Sequence, residues 1–154
     1  MMAGSRVDTH ALQFVVVFTG NMLVGFIDRS PQPAMRLTGT VLLVAGAALF
    51  FYVIAYLRGG LLGSTEPVLD HLVTGGPYRF CRHPLYLCFL MMLLGASLYM
   101  GSWVSVAYTF LLSVPSAAYR AAREDVLLRE RFGGEWEAYA GKAGMFLPRL
   151  GQRS

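Results

Sequence analysis

The stretch LTGTVLLVAGAALFFYVIAYL, Leu37 to Leu57, runs for 21 positions without a charge. As a helix it extends about 30 Å at 1.5 Å per residue, the thickness of the hydrocarbon core of a bilayer. Gly39 and Gly46 lie along it and offer close approach to a neighbouring helix. Upstream, Ala11 to Ile27 is a second uncharged stretch of 17 residues, about 25 Å of helix, enough for a thin or locally adapted bilayer. It ends at Asp28-Arg29-Ser30-Pro31-Gln32-Pro33, a helix-breaking run without a small-residue cleavage site. With little positive charge before it, it reads as a retained helix and not a signal peptide. Downstream, Leu85 to Met100 and Trp103 to Tyr119 are separated only by Gly101-Ser102, the spacing of a helical hairpin. Pro115 is placed to kink the fourth helix near its end. The expectation is an all-α, integral membrane helical bundle of about four transmembrane helices with a cytosolic C-terminal helical tail.

The composition agrees with that solvent. Of 154 residues, 55% are hydrophobic, and the mean hydropathy is +0.50, high for a soluble core of that size. The formal net charge of +4 comes from 13 Lys and Arg against 9 Asp and Glu, all outside the four apolar stretches. They read first as membrane flanks and second as an anion site. No basic run with interleaved aromatics is present, so nucleic acid is not an expected partner. Cys81 and Cys88 have no second pair and no His at ligand spacing, so no metal site is expected and both read as packed thiols. Four spans put the N-terminus, the loop before the third helix and the tail on one side, with eleven of the thirteen cationic residues. By the positive-inside rule that side is cytoplasmic. The whole chain, 1–154, is expected to form a single membrane domain, with an N-terminal helix pair over 1–60 and a second part over 74–150.

Two segments carry chemistry. The loop from Arg58 to Pro84 holds Arg58, Arg79 and Arg82 against Glu66 and Asp70, two histidines and recurrent Gly and Pro. It closes on Gly76-Pro77-Tyr78-Arg79-Phe80-Cys81-Arg82-His83-Pro84-Leu85-Tyr86. Pro84 suits a helix start, where its missing N–H costs nothing. The free N–H groups and positive dipole of that start, with Arg79, Arg82 and His83 alongside, make a receptor for a carboxylate or phosphate. Alternatively these cations snorkel to lipid headgroups. The second segment follows the fourth helix. Arg123-Glu124-Asp125 leads through Leu127, Leu128 and Phe132, at helical spacing, to a plausible stop at Gly133-Gly134, then Trp136 and Tyr139. Its two acids can receive an ammonium or hold an arginine of the first segment. They also stand at i,i+4 from Arg120 and Arg129, as on any solvated helix.

Taken in order, these residues resemble the isoprenylcysteine carboxyl methyltransferase and phospholipid methyltransferase superfamily, small membrane methyltransferases. A GPYRxxRHPxY segment precedes a helical hairpin, then come an acidic pair, a leucine, FG, an aromatic, a tyrosine and a final LP. Here those are Gly76 through Tyr86, Glu124-Asp125, Leu128, Phe132-Gly133, Trp136, Tyr139 and Leu147-Pro148, a resemblance running from about Thr74 to Leu150. The first two helices carry no comparable signature. The resemblance implies an S-adenosyl-L-methionine-dependent transferase. Its cytosol-facing pocket would be walled by the last two membrane helices and the tail, and open laterally to membrane lipids and a lipophilic or lipidated acceptor.

The implied cofactor-binding residues are Tyr78, Arg82, His83, Pro84, Tyr86, Glu124, Asp125, Trp136 and Tyr139, with His83, Glu124 and Arg82 catalytic. Arg82, His83 and the helix start would meet the cofactor's carboxylate, Glu124 its ammonium, and the aromatic residues its adenine or sulfonium. Two positions depart from the pattern. Asp125 stands where a second glutamate is usual, and Cys88 where glycine is common. The same RHPxY-like helix entry occurs in NADPH-dependent sterol-type membrane reductases, whose chains are longer and commonly carry asparagine where Leu85 stands. A non-enzymatic membrane helical bundle is the third class, its charged segments acting as interface anchors.

Overall fold

A computed structural model describes residues 9–30, 32–62 and 71–149. Pro31, Glu66, Asp70 and Leu150 lie outside the described residues. The elements are α1 (Thr9–Ile27), α2 (Pro33–Leu62), a 3-10 turn (Gly76–Arg79), α3 (Pro84–Met100), α4 (Trp103–Tyr108), a π turn (Thr109–Ser113), α5 (Val114–Phe132) and α6 (Gly134–Lys142). Among the described residues there is no strand, only an isolated parallel bridge between Cys81 and Gly144. The fold is all-α, as expected.

The uncharged stretches mark hydrophobic thickness and not helix ends. Thus α2 continues past Leu57 through Arg58 and two glycines to Leu62, into the expected loop. Pro33–Leu57 is long and apolar enough to cross a membrane, with a mean hydropathy of 2.3, while Val15–Ile27 and Pro84–Met100 are shorter apolar helices. Only 11% of the apolar window in α2 is buried within the chain, unlike the core helix of a soluble protein. The fourth stretch is helical from Trp103 to Phe132, with a π turn over Thr109–Ser113. This irregularity falls one turn ahead of Pro115, which has no N–H to donate to the carbonyl of Leu111.

The chain divides into two compact units, residues 1–43 with 92–120 and residues 44–91 with 121–154. The first is polar inside and apolar outside. Asn21 is fully buried, and its Nδ2 donates to Thr109 Oγ1 at 2.7 Å and to Ser113 Oγ at 3.4 Å. Its Oδ1 accepts from Ser105 Oγ at 2.6 Å and from Ser97 Oγ at 3.3 Å. Phe26, Phe110, Leu111 and Leu112 meanwhile point outward. Polar groups buried in this way are shielded from water and must satisfy one another.

The hairpin turn of this unit is set by Gly101 at φ 70° and by Ser102, which caps α4 by accepting from Ser105 N–H. Ser102 also donates to Asp28 Oδ2 at 2.9 Å, so the charge that ends the first apolar stretch holds the turn. Gly39 fulfils the expected close approach, since a Cβ there would meet the backbone of Gly95 and Tyr99 at 2.4–2.9 Å.

In the second unit Val53 and Cys88 are fully buried and the Phe50 ring packs, tilted, with its centre 5.6 Å from that of Phe89. Gly133, at φ 53°, separates α5 from α6 at the expected stop. Tyr56 packs its ring where a Cβ on Gly76 would lie, at 2.5–2.8 Å, and Gly76 itself has φ 56°. Glycine at this position is required both by its conformation and by the approaching ring.

Candidate functional site

The sequence-predicted residues assemble within the second unit, from two stretches about forty positions apart. The 3-10 turn and the extended residues after it deliver Arg82 and His83 to the start of α3, while α5 delivers Glu124 and Asp125. The extended piece is held by the tail: Arg82 N–H donates to Gly144 O at 2.8 Å and His83 N–H to Met145 O at 3.1 Å. Gly144 is essential to that pairing, since a Cβ there would sit 2.0 Å from the carbonyl oxygen of Leu147. Pro84 is buried and opens α3, whose first turn closes with Leu87 N–H on His83 O.

At the centre is an ionic cluster. Arg82 Nη1 lies 3.2 Å from Asp125 Oδ2, and His83 Nε2 lies 2.9 Å from Asp125 Oδ1. On the other edge of the imidazole, Nδ1 lies 3.4 Å from Glu124 Oε2, and Tyr86 hydroxyl donates to Glu124 Oε1. Burial disfavours the imidazolium, but its hydrogen bonds to Asp125 and Glu124 outweigh that cost and hold the His83 pKa above its ordinary 6.5. When protonated, His83 can donate from both nitrogens, one to each acid of the pair. Consecutive residues of a helix point about 100° apart, and the two acids differ accordingly: the Asp125 side chain is 11% exposed and that of Glu124 is 44% exposed.

Beside this cluster lies a cavity of about 230 Å³. Tyr78, Arg82, Asp125, Trp136 and Tyr139, all predicted site residues, line it. His83, Pro84, Tyr86 and Glu124 do not line it but adjoin it through Arg82 and Asp125. The carboxylate at the wall is thus that of Asp125. Arg82 holds its guanidinium 5.5 Å from the ring centre of Trp136. Among the described residues, two buried donors, Arg82 Nε and Trp136 Nε1, have no hydrogen-bond partner. Tyr139 hydroxyl donates to Tyr78 O at 2.7 Å, tying α6 to the 3-10 turn. Burial, followed by the nearby Glu124 charge, pushes the Tyr78 phenol up to about 12, so it is a neutral donor. The Tyr139 phenol is raised for the same first reason, burial.

Sequence reasoning missed Leu57, His71, Leu72, Val73 and Arg131, which also line the cavity. Leu57, Leu72 and Val73 do not stand out by type, while His71, one of the two histidines of the loop, and Arg131 meet the motif residues only in space. The ordinary i,i+4 reading of Asp125 with Arg129 gives way to different partners, because Arg129 pairs instead with Glu137 at 2.7 Å. Arg79, expected beside Arg82, is exposed and faces a different groove.

The phospholipid methyltransferase pattern matches residues 34–135, from the first turn of α2 to the start of α6. An 83-residue stretch is 41% identical to a cobalt-zinc-cadmium resistance protein of Cupriavidus metallidurans, covering 51% of this chain and 36% of that protein. The protein-S-isoprenylcysteine O-methyltransferase of Schizosaccharomyces pombe is 34% identical over 80 residues, 51% of this chain and 34% of its own length. A probable protein-S-isoprenylcysteine O-methyltransferase of Oryza sativa subsp. indica is 38% identical over 78 residues, 50% of this chain and 40% of its own length. The matched stretch therefore spans little more than a third of each relative. The second helix, unmarked in the sequence reading, falls inside the family pattern, and α1 falls outside it. With well over half of its length matched, the chain belongs to the phospholipid methyltransferase family, within the superfamily that includes the isoprenylcysteine carboxyl methyltransferases.

Proposed function

We propose that the protein is a membrane methyltransferase that uses S-adenosyl-L-methionine and acts on a lipophilic acceptor. The observation that carries this reading is a cavity lined by Arg82, Trp136 and Asp125, the first two of which each hold a buried donor, Arg82 Nε and Trp136 Nε1, without a partner among the described residues. Buried donors without acceptors are costly and rare in folded chains. They fit a ligand that brings acceptor atoms, while Asp125 and the aromatic residues fit its positive charge. S-adenosyl-L-methionine has that combination, with a carboxylate, ring nitrogens, an ammonium and a sulfonium, and when bound it supplies an electrophilic methyl group.

The residues of the chain then divide the work. Arg82 and Trp136 hold the acceptor atoms of the ligand, and Asp125, fixed by Arg82 and His83, offers its carboxylate to the ammonium. Leu57, Leu72, Val73, Leu128 and Phe132 keep water from the cavity, which favours an in-line displacement between oriented groups. Glu124, held by Tyr86 and His83 and more open, is the group that would receive a proton from a thiol or amine acceptor. A carboxylate acceptor, as the names of the fission yeast and rice relatives suggest, needs no such base. Four membrane spans, with both termini and the cavity on the cytoplasmic side, complete the reading.

Calorimetric titration of the full-length protein in detergent with S-adenosylhomocysteine and, separately, with NADPH tests it. Saturable binding of the homocysteine compound alone is expected. NADPH binding alone would favour a reductase, and binding of neither by a folded sample a non-enzymatic bundle.

A further inference from the structure

A second groove, of about 370 Å³, is lined by Arg79, Lys142, Thr74, Glu135 and one side of Tyr139, the residue that also lines the cavity described above. Its two cations come from separate segments, Arg79 from the 3-10 turn and Lys142 from the end of α6. Both are exposed, and neither has a carboxylate within ion-pair distance among the described residues, although Glu135 lines the same groove. Arg129 and Glu137 show that this tail forms its ion pairs where geometry allows, at 2.7 Å. Glu135 is therefore held apart from both cations, and the groove keeps a net charge of +1 with a threonine hydroxyl beside it.

We propose that this groove binds a phosphate-bearing anion through Arg79 and Lys142, with the Thr74 hydroxyl as a further donor. Arg donates to phosphate in a fork and Lys as a point charge, and the two together fit one tetrahedral anion. Phe80, next to Arg79 in the chain, is 62% exposed. An exposed aromatic residue beside a cation is the composition of a membrane interface, which makes a lipid headgroup one source of that phosphate and a soluble phosphate ester the other. The proposal does not depend on methyl transfer.

The test uses the full-length protein in detergent and three probes: phosphatidylglycerol, phosphatidylcholine and glycerol phosphate, with bound lipid counted by native mass spectrometry. Saturable binding of phosphatidylglycerol in preference to phosphatidylcholine is expected, weakened about tenfold in the double variant Arg79→Gln/Lys142→Gln. Competition by glycerol phosphate at comparable concentration would identify a soluble ester as the ligand of the same site. Failure of competition would identify the headgroup in its membrane. Arg149→Gln removes a cation that bonds Gly141 O and does not line the groove, and it should bind as the unaltered protein does. Equal binding by the double variant, or equal weakening by Arg149→Gln, would overturn the proposal. An unchanged melting temperature and unchanged affinity for S-adenosylhomocysteine in the double variant separate this outcome from loss of fold or of the first cavity.

Discussion

The two compact units solve the same problem, polar groups away from water, with different chemistry. In the first, Asn21, Ser97, Ser105, Thr109 and Ser113 are neutral, come from three helical segments, and satisfy one another. Among the described residues, Ser116 Oγ is a buried group there without a partner. In the second, Arg82, His83, Glu124 and Asp125 pair with one another, yet Arg82 Nε and Trp136 Nε1, on two residues that line a cavity, find no partner among the described residues. A closed neutral network holds helices in register. An ionic network with surplus donors is arranged for something that arrives later.

The largest effect that separates the two is expected from Asp125→Ala. It would strand the buried Arg82 guanidinium and leave His83 with Glu124 alone, at a cost of about 3 kcal/mol. The carboxylate at the cavity wall is lost as well, so affinity for S-adenosylhomocysteine falls with stability. Asn21→Leu is expected to cost about 1–2 kcal/mol through its lost hydrogen bonds, because neutral interhelical bonds in membranes are individually weak. It leaves affinity intact. Unfolding in mixed micelles and calorimetry on both variants check the pair. Equal loss of affinity in both would break the distinction between a clasp and a site.

The same contrast has a pH signature. Folding raises the pKa of His83 above the ordinary 6.5. The stabilisation it brings is therefore fully present below pH 6.5 and is lost as the pH rises through the raised value. Stability of the unaltered protein should fall on that alkaline side, and His83→Gln should remove this part of the fall. The neutral network of the first unit adds no slope there. An unchanged profile in His83→Gln would mean that the imidazole is not protonated between its two carboxylates.

Much of the fold was legible in the sequence because apolar stretches without charges announce helices, and Gly101, Gly133 and Pro84 punctuate them where the chain requires it. The acidic pair, the RHP turn and both aromatic residues of α6 were also legible as a set, since their residue types have few other uses in that order. The cavity wall was not. Leu57 and Val73 are ordinary apolar residues, and only folding brings them to Arg82 and Asp125. The polar core of the first unit escaped for a related reason: Asn21 and the serines sit singly in apolar stretches, where no local pattern reveals that they meet. Glu124 and Asp125 are neighbours in the chain and looked interchangeable, yet the turn of the helix gives them different surroundings.

That last difference supports the finest test. Tyr86 donates its hydroxyl to Glu124 Oε1, and neither residue lines the cavity with Asp125. Tyr86→Phe keeps the ring and removes that bond, so stability should fall by about 1 kcal/mol, the net worth of one hydrogen bond to a partly exposed carboxylate. Affinity for S-adenosylhomocysteine should not change. If Glu124 serves the acceptor, turnover drops while affinity for the donor product holds, and the drop is larger for a thiol or amine acceptor, which must lose a proton, than for a carboxylate. Glu124→Gln keeps the size of the side chain but cannot take a proton, so it should reproduce the acceptor-dependent part. A loss of donor affinity in Tyr86→Phe would instead place Glu124 on the same side as Asp125 and merge the two acids into one binding role.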